Sequence, residues 1–396
     1  MKSVTRVAAL IVRDSSPIRF AGLDLAERAE RVARRAGIDR VQIVADDRPF
    51  ADAPFAELLV VLPERVIVEP ALMAALVRRG LREEEDAVVV VDAAGHSTDL
   101  MLLSSHAVER VRTVSRVRCA RRRLGVEGVV RAIGMESRFI ERLRDRRDVA
   151  RVETAYLRHV NGGGSEGFFT RNIRFFSIPL STRLLRLPVS ANEVTLAGFA
   201  LAVLAGLSFA VGTYWAGLAG ALLYWASMVL DCSDGEVARG SLTDSPFGAW
   251  LETVTDYLSY FVVLGGIVSG DVRREGFDHH TVAAIVAAIA SIGIVALVGY
   301  LRARIAGANP GAFDDALAAQ LRQGTATQRF AAWGRQLIKR AFIAHLILFQ
   351  ALIGFLPALT EIWAYGAVGA LVVLVAVQTR ILRSVRVQPF RPVVSQ

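Results

Sequence analysis

Cysteine and lysine are both scarce in this chain of 396 residues. Cys119 and Cys232 lie far apart, so they form neither a disulfide framework nor the close spacing of a thiolate metal site. Lysine occurs only at Lys2 and Lys339, so arginine carries nearly all of the positive charge. Arginine suits bidentate contacts with phosphate, although a coding bias explains the same composition.

The N-terminal segment also lacks the features of a secretory signal peptide. Its apolar run, in MKSVTRVAALIVRD, is short, ends in charge and precedes no small-residue cleavage site. We therefore expect the first half of the chain to stay in the cytoplasm. The net charge is +9 and the isoelectric point about 10.2, but the basic residues form no tract with interleaved aromatics, which argues against a nucleic-acid partner.

Apolar residues make up 53% of the chain, and they are unevenly distributed. Before about residue 190 they alternate with charged residues, and after it they form six runs, each near the ~20 residues that cross a bilayer as a helix. Arginines flank these runs in a pattern that predicts a multi-pass protein of the cytoplasmic (inner) membrane with both termini in the cytoplasm. The predicted spans are 191–211, 213–232, 248–269, 281–301, 338–357 and 362–382.

Strands and helices alternate in the first half of the chain. This rhythm predicts an α/β domain with a mostly parallel sheet. The predicted strands are 4–13, 40–46, 57–63, 86–92 and 100–104, and the predicted helices are 23–36 and 70–80.

Four carboxylates lie at the ends of the second and third predicted spans: Asp231, Asp234, Glu252 and Asp256. Asp231 and Asp234 are three apart, and Glu252 and Asp256 are four apart, so each pair shares one helix face. A turn between the two helices allows all four to converge. So much negative charge beside a low-dielectric layer requires a cation, and a divalent metal held by oxygen ligands is the natural candidate.

Small residues and an arginine accompany these acids. Gly235, Ala238 and Gly248 allow close helix approach and leave room for a ligand, and Arg239 offers a fork for phosphate. Acidic oxygens, a divalent metal, an arginine and a glycine-rich surface are the parts that a phosphoryl-transfer site needs.

The spacing resembles the signature of the CDP-alcohol phosphotransferase family, D-x2-D-G-x2-A-R-x8-G-x3-D-x3-D. Glu252 is the one departure, because the family has aspartate at the third acidic position. SANEVT at 190–195 resembles the family's Pro-Asn-x-x-Thr motif, with Asn192 and Thr195 matching. The resemblance covers about residues 168–385.

The resemblance implies an enzyme that transfers a substituted phosphate from a CDP-alcohol to an acceptor hydroxyl and releases CMP. It implies Mg²⁺ or Mn²⁺ as cofactor, with two ions, and Asp256 as the candidate general base. The implied metal ligands are Asp231, Asp234, Glu252 and Asp256. The implied CDP-binding residues are Asn192, Thr195, Gly235, Ala238, Arg239 and Gly248.

The order of elements over about residues 4–135 resembles the sugar-nucleotidyltransferase domain that is fused to some of these membrane enzymes. That domain has a glycine-rich loop after its first strand, whereas this chain has no glycine there before Gly22. Pro63 and Glu64 stand where the domain has a metal-binding aspartate. We therefore expect a domain that no longer activates nucleotides, and we interpret Asp92 as a cap or turn residue.

Residues 168–187 mix aromatic residues, leucines and arginines, which predicts an amphipathic helix in the membrane interface. A charged helix at 136–160 and a glycine-rich linker at 161–167 precede it. Arg171 and Arg174 are assigned to the phosphate of the acceptor, with contact to anionic lipid as an equal alternative. The predicted domains are 1–135, 136–187 and 188–396.

The leading hypothesis is a membrane transferase of phospholipid biosynthesis that uses CDP-diacylglycerol or a similar donor. The alternatives are an inositol-phosphodiester synthase that uses CDP-inositol, a membrane-anchored sugar-phosphate nucleotidyltransferase, and a non-catalytic lipid-binding scaffold. The expected partners are the donor, the acceptor alcohol, the bilayer and a second copy in a homodimer. His345 is interpreted as a packed polar residue and Glu361 as a helix-end residue that faces water.

Overall fold

The computed structural model describes residues 6–384 except 14–17, 47–49, 51–52, 55, 93, 115, 128, 135–137, 162–166 and 306–339. The chain forms two compact units. The first unit comprises Met1–Gly164, Ile178–Ala191 and Gly235–Asp244, and the second comprises Ser165–Ser177, Asn192–Asp234 and Ser245–Gln396.

Ten strands lie in the first unit, counted over the described residues. They are β1 (Val7–Arg13), β2 (Arg19–Phe20), β3 (Leu23–Asp24), β4 (Arg40–Ala45), β5 (Leu58–Pro63), β6 (Val66–Val68), β7 (Ala87–Val91), β8 (Ser97–Ser104), β9 (Val130–Gly134) and β10 (Ile140–Arg142). Six of them form one sheet in the order β4-β1-β5-β8-β7-β9.

The sheet is parallel except at β8. Strand β1 is parallel to β4 and β5, and β7 is parallel to β9, whereas β8 is antiparallel to both β5 and β7. A tight turn causes this reversal: Oδ1 of Asp92 accepts hydrogen bonds from the backbone N–H groups of Ala94 and His96, at 3.0 and 2.8 Å. A connection this short joins antiparallel strands. The predicted α/β class is confirmed, and Asp92 is a turn residue as expected.

Five helices lie in the first unit, and four of them cover the two faces of the sheet. The five are α1 (Leu25–Arg35), α2 (Pro70–Arg79), α3 (Ser105–Val111), α4 (Val117–Glu127) and α5 (Asp148–Asn161). Alternate side chains of β1 point to opposite faces, so Ile11 packs with α1 and α2 while Leu10 packs with α3 and α4. The predicted charged helix at 136–160 begins later, at Asp148, because Ile140–Arg142 pair with β6.

Seven further helices follow in the described residues. They are α6 (Phe168–Leu184), α7 (Ala191–Phe209), α8 (Tyr214–Ser241), α9 (Pro246–Glu275), α10 (His279–Ile305), α11 (Arg340–Leu352) and α12 (Ala358–Ser384). Five of them, α7, α8, α9, α10 and α12, are long and apolar enough to cross a membrane, and α11 is a shorter apolar helix. The predicted span at 338–357 begins outside the described residues. These helices indicate a membrane protein, and α6 occupies the place of the predicted interfacial helix.

Glycines bring α7 and α9 into backbone contact in the second unit. A Cβ atom at Gly266 would overlap the carbonyl oxygen of Gly206, and one at Gly270 would overlap that of Phe209. Small residues at such a seam let membrane helices approach closely. The seam fixes α9 against α7, and α9 carries two of the four acids.

The last turns of α8 belong to the first unit, where arginines of α1 meet them. Arg28 Nη1 donates to the carbonyl oxygen of Gly240 at 2.7 Å, and Arg31 Nη1 donates to that of Ser241 at 3.1 Å. The final carbonyls of a helix have no partner within the helix and carry partial negative charge. Arg28 and Arg31 therefore stabilise the end of the helix that carries the first part of the signature.

Candidate active site

The two helices α8 and α9 carry the four acids. Asp231 and Asp234 lie on α8, and Glu252 and Asp256 lie on α9. Ser245 begins α9 as its N-cap, because its Oγ accepts a hydrogen bond from the backbone N–H of Gly248 at 3.0 Å. Only the short segment 242–245 separates the two helices.

Arg340, at the start of α11, joins the two helices through their acids. Its Nη1 donates to Oδ1 of Asp231 at 2.6 Å and also to Oδ1 of Asp256. The exposed fractions of these three side chains are 12% for Arg340, 17% for Asp231 and 28% for Asp256. The guanidinium carbon lies 5.7 Å from the ring centroid of Tyr260. Asp231 and Asp256 therefore converge, as the spacing predicts, and they do so around a positive charge.

Asp234 is hydrogen-bonded to a residue of a third helix, α7. It is 3% exposed, and its Oδ2 accepts a hydrogen bond from Thr195 Oγ1 on α7 at 2.6 Å. Asn192 lies one turn earlier on α7, and a Cβ atom at Gly248 would come within 3.2 Å of its Oδ1. The two residues matched to the Pro-Asn-x-x-Thr motif thus contact residues matched to the acidic signature.

Glu252 lies one turn before Asp256 on α9 and is exposed. The carboxylate of Glu252 interacts electrostatically with that of Asp256. Its position on the helix agrees with the spacing, and its role as a metal ligand stays a prediction.

Gly235, Ala238 and Arg239 belong to the first unit. Arg239 Nε donates to Asn161 Oδ1 at 2.7 Å, and Asn161 is 7% exposed. A Cβ atom at residue 235 would come within 2.9 Å of Nη2 of Arg239. Glycine at this position therefore leaves room for the guanidinium, which explains why the two residues occur together.

Sequence reasoning missed three residues that matter here. Arg340 is one of the many arginines that flank the predicted spans, and its pairing with Asp231 spans 109 positions. Asn161 was assigned to the linker, although an asparagine before a glycine run is a common helix end. Glu236 is completely buried and accepts a hydrogen bond from Ser181 Oγ at 2.7 Å.

Arg171 is exposed and Arg174 partly buried on α6, and their contact with acceptor phosphate stays a prediction. His345 is a packed polar residue, as expected. Its Nε2 lies 2.9 Å from Asn172 Nδ2, and its ring packs against Phe169 and Trp225.

The protein-family profile described as CDP-alcohol phosphatidyltransferase matches residues 188–356. This range contains all four acids, the three small residues and Arg340. Residues 188–356 are therefore similar to a CDP-alcohol phosphatidyltransferase domain. The predicted family resemblance is confirmed for this part of the chain.

Three curated proteins show what this chain is similar to. The bifunctional IPC transferase and DIPP synthase of Aquifex aeolicus is 31% identical over 121 residues, which is 30% of this chain and 27% of the relative. The archaetidylinositol phosphate synthase of Methanothermobacter thermautotrophicus is 35% identical over 98 residues, 25% of this chain and 47% of the relative. The phosphatidylinositol phosphate synthase of Mycobacteroides abscessus is 30% identical over 128 residues, 32% of this chain and 54% of the relative.

The chain spans only between about a quarter and about half of the length of these relatives. A crystal structure of a Mycobacterium tuberculosis protein in complex with manganese aligns with 34% of this chain and 89% of its own, at a TM-score of 0.29 and 14% identity. That similarity is too low to support a conclusion about fold or metal.

Proposed function

We propose that this protein is an integral-membrane transferase that moves a substituted phosphate from a CDP-alcohol to an acceptor hydroxyl and releases CMP. The observation that carries the proposal is the convergence of Asp231 and Asp256, from two helices of the family-matched domain, on one guanidinium nitrogen. CDP-diacylglycerol or a similar lipid is the proposed donor, and the product is a phospholipid.

The donor set fits a divalent metal. Asp231 and Asp256 supply oxygen ligands, which Mg²⁺ and Mn²⁺ prefer, and they already surround a positive charge. In this proposal Asp231, Asp234, Glu252 and Asp256 hold two such ions. When bound, the metal neutralises charge on the pyrophosphate and polarises the phosphorus that is attacked.

The residues of the chain bind the donor, orient it and accept a proton. Asp256 takes the proton of the acceptor hydroxyl at a carboxylate oxygen while that hydroxyl oxygen attacks the phosphorus distal to cytidine. The bond from this phosphorus to the CMP oxygen breaks, and CMP leaves with the bonding electrons. Thr195 orients Asp234 through their hydrogen bond. The proposed CDP-binding residues are Asn192, Thr195, Gly235, Ala238, Arg239 and Gly248.

Arg340 is the counter-ion of this site in the proposal. Its guanidinium neutralises part of the charge on Asp231 and Asp256. A divalent ion that binds these two carboxylates competes with Arg340 for the same oxygens. With such an ion bound, Arg340 would keep at most one of these two carboxylates as a partner.

The second candidate is an inositol-phosphodiester synthase that uses CDP-inositol. It is favoured by the similarity to the bifunctional IPC transferase and DIPP synthase. The other two relatives carry inositol phosphate in their names, which makes a phosphorylated inositol the first acceptor to test. Arg171 and Arg174 are the residues that we propose for its phosphate.

A nucleotidyltransferase activity of the first unit is not supported by an arrangement comparable to that of Asp231 and Asp256 in the described part of the chain. The segment after β1, where a phosphate-binding loop would lie, falls on residues 14–17, outside the described residues. Asp92 forms a turn through its hydrogen bonds.

We further propose a cytoplasmic-membrane location with both termini in the cytoplasm, and a homodimer.

The test is CMP release by the purified full-length protein with CDP-diacylglycerol or CDP-inositol. Each donor is combined with a panel of acceptors that includes inositol phosphate, in the presence of Mg²⁺ or Mn²⁺. We expect CMP only when donor, acceptor and metal are all present, and the preferred donor distinguishes the two candidates. Release of no CMP from any CDP-alcohol would contradict both and favour the lipid-binding scaffold.

A further inference from the structure

A second group of ligand-type side chains lies where the α9–α10 turn meets the start of α12. It consists of Asp278, His279, His280 and Glu361, all in the second unit. One ligand atom from each of Asp278, His279 and His280 lies within 4.8 Å of the other two. Glu361, which the sequence suggested would only face water, is 37% exposed and points one oxygen at both histidines.

Two distances in this group match those of a small tetrahedral site. Glu361 Oε1 lies 3.4 Å from His279 Nε2 and 3.4 Å from His280 Nδ1. A metal with bonds of about 2.0–2.1 Å in tetrahedral geometry sets neighbouring ligand atoms about 3.4 Å apart. Two imidazoles with carboxylates form a set that suits Zn²⁺ and similar transition metals rather than Mg²⁺.

The backbone fixes part of the group in place. Asp278 caps α10, because its Oδ1 accepts a hydrogen bond from the backbone N–H of Thr281 at 3.1 Å. Its other oxygen, Oδ2, remains directed at His279, 3.8 Å from Nδ1. The centroids of the His279 and His280 rings are 4.1 Å apart. Asp278 and the two imidazoles therefore share one small volume.

Unpaired buried atoms beside the group are an independent indication of a ligand. Nδ1 of His280 is buried and makes no hydrogen bond within the described part of the chain. Asp271 is 5% exposed, and neither of its carboxylate oxygens accepts a hydrogen bond from a described residue, although Arg274 Nη2 lies 3.5 Å from Oδ1. The charges of Asp278 and His280 act on Asp271. Few buried polar atoms in folded proteins lack a hydrogen-bond partner, and a bound ion is one group that supplies it.

We propose that Asp278, His279, His280 and Glu361 bind a zinc-type divalent ion that fastens the first turn of α12 to the first turn of α10. This ion differs from the metal proposed at Asp231, Asp234, Glu252 and Asp256. Its ligands include nitrogen, and its role is structural. It adds to the apolar contact of α9, α10 and α12 through Leu264, Ala287 and Ala364.

The experiment uses full-length protein without a histidine tag, carrying Asp231→Asn and Asp256→Asn so that the two converging carboxylates of the candidate active site do not contribute. The chelator-treated protein is titrated with Zn²⁺ by calorimetry and with Co²⁺ by visible absorption. We expect one ion per chain and the strong visible bands of tetrahedral Co²⁺. His280→Asn and Glu361→Gln should each weaken Zn²⁺ binding by about 10-fold or more, and the exposed control His106→Asn should leave it unchanged.

Thermal unfolding gives a second measurement on the same samples. Zn²⁺ should raise the midpoint when the group is intact, because an ion that binds only the folded state stabilises it, and it should not do so with Glu361→Gln. The proposal is overturned if the intact protein binds no Zn²⁺, or if stoichiometry and affinity persist in a His279→Asn, His280→Asn double variant. Since all samples lack Asp231 and the proposed base Asp256, neither outcome bears on the proposed enzymatic function.

Discussion

Buried acids are neutralised in different ways in the two units. In the first unit Asp99, whose side chain is 3% exposed, pairs with Arg121 at 2.8 Å and with Arg142 at 2.7 Å. Glu85 pairs with Arg79 through two hydrogen bonds, at 2.9 and 2.8 Å. In these pairs each acid has at least one arginine, so the group is complete without any ligand.

In the second unit, Asp231 and Asp256 face the same guanidinium. Two negative charges therefore meet one positive charge in a partly buried place. An uncompensated buried charge is costly, so this arrangement favours an added cation. We therefore distinguish acids that stabilise the fold, which have their own arginines, from acids that bind a ligand, which share one. The following predictions test that distinction.

The largest effect is expected at Asp256. Asp256→Asn keeps the shape of the side chain but removes the base and a metal ligand, so CMP release should fall by roughly 10²–10⁴-fold. The matched control is Asp99→Asn, which should lower stability but leave the rate per folded molecule unchanged. Comparable loss of rate per folded molecule in both variants would erase the distinction between the two kinds of acid.

Removal of Arg340 should destabilise the protein only while the metal is absent. Arg340→Met leaves Asp231 and Asp256 without their shared counter-ion, at a cost of about 3–5 kcal/mol. A divalent metal then replaces the missing charge, so Mg²⁺ should raise the thermal midpoint more in Arg340→Met than in the wild type. Arg142→Met, which breaks a complete pair, should show no such rescue. An equal response to Mg²⁺ in all three proteins would contradict the role given to Arg340.

The pKa of Glu85 predicts that the stability of the first unit depends on pH. The Arg79 guanidinium beside Glu85 lowers the pKa of that carboxyl from 4.5 to about 2. The charged form therefore stabilises the folded state, fully above about pH 4.5, and this contribution is lost as the pH falls towards 2. Hydrogen exchange of β7 in the full-length protein should show it, with Glu85→Gln as the control. Parallel loss of protection in the wild type and the variant across this window would refute the assignment.

The smallest effect is expected at Thr195. Thr195→Val removes the hydrogen bond to Asp234 while conserving the volume, at a cost of about 1–3 kcal/mol. We expect weaker metal binding and a higher metal concentration at half-maximal CMP release. Thr255→Val is the control, because Thr255 Oγ1 donates within its own helix, to the carbonyl oxygens of Leu251 and Glu252. An equal shift of the half-maximal metal concentration in both variants would show that the hydrogen bond from Thr195 to Asp234 does not support metal binding.

The sequence predicted what depends on local spacing and little of what depends on distant contacts. Asp231 of α8 and Asp256 of α9 converge because helical periodicity and a short connection place them on facing sides. The antiparallel β8 follows from the turn at Asp92, and the glycine at position 95 that completes this turn was a usable signal. Arg340 could not be predicted, since its contacts with Asp231 and Asp256 span 109 and 84 positions and depend on helix packing.

The most direct test of the account measures CMP release by chelator-treated full-length protein before and after metal is returned. The account predicts no release without metal, recovery with Mg²⁺ or Mn²⁺, and no recovery in the Asp231→Asn, Asp256→Asn double variant. It is contradicted if chelated protein releases CMP at the full rate, or if the double variant recovers as the wild type does.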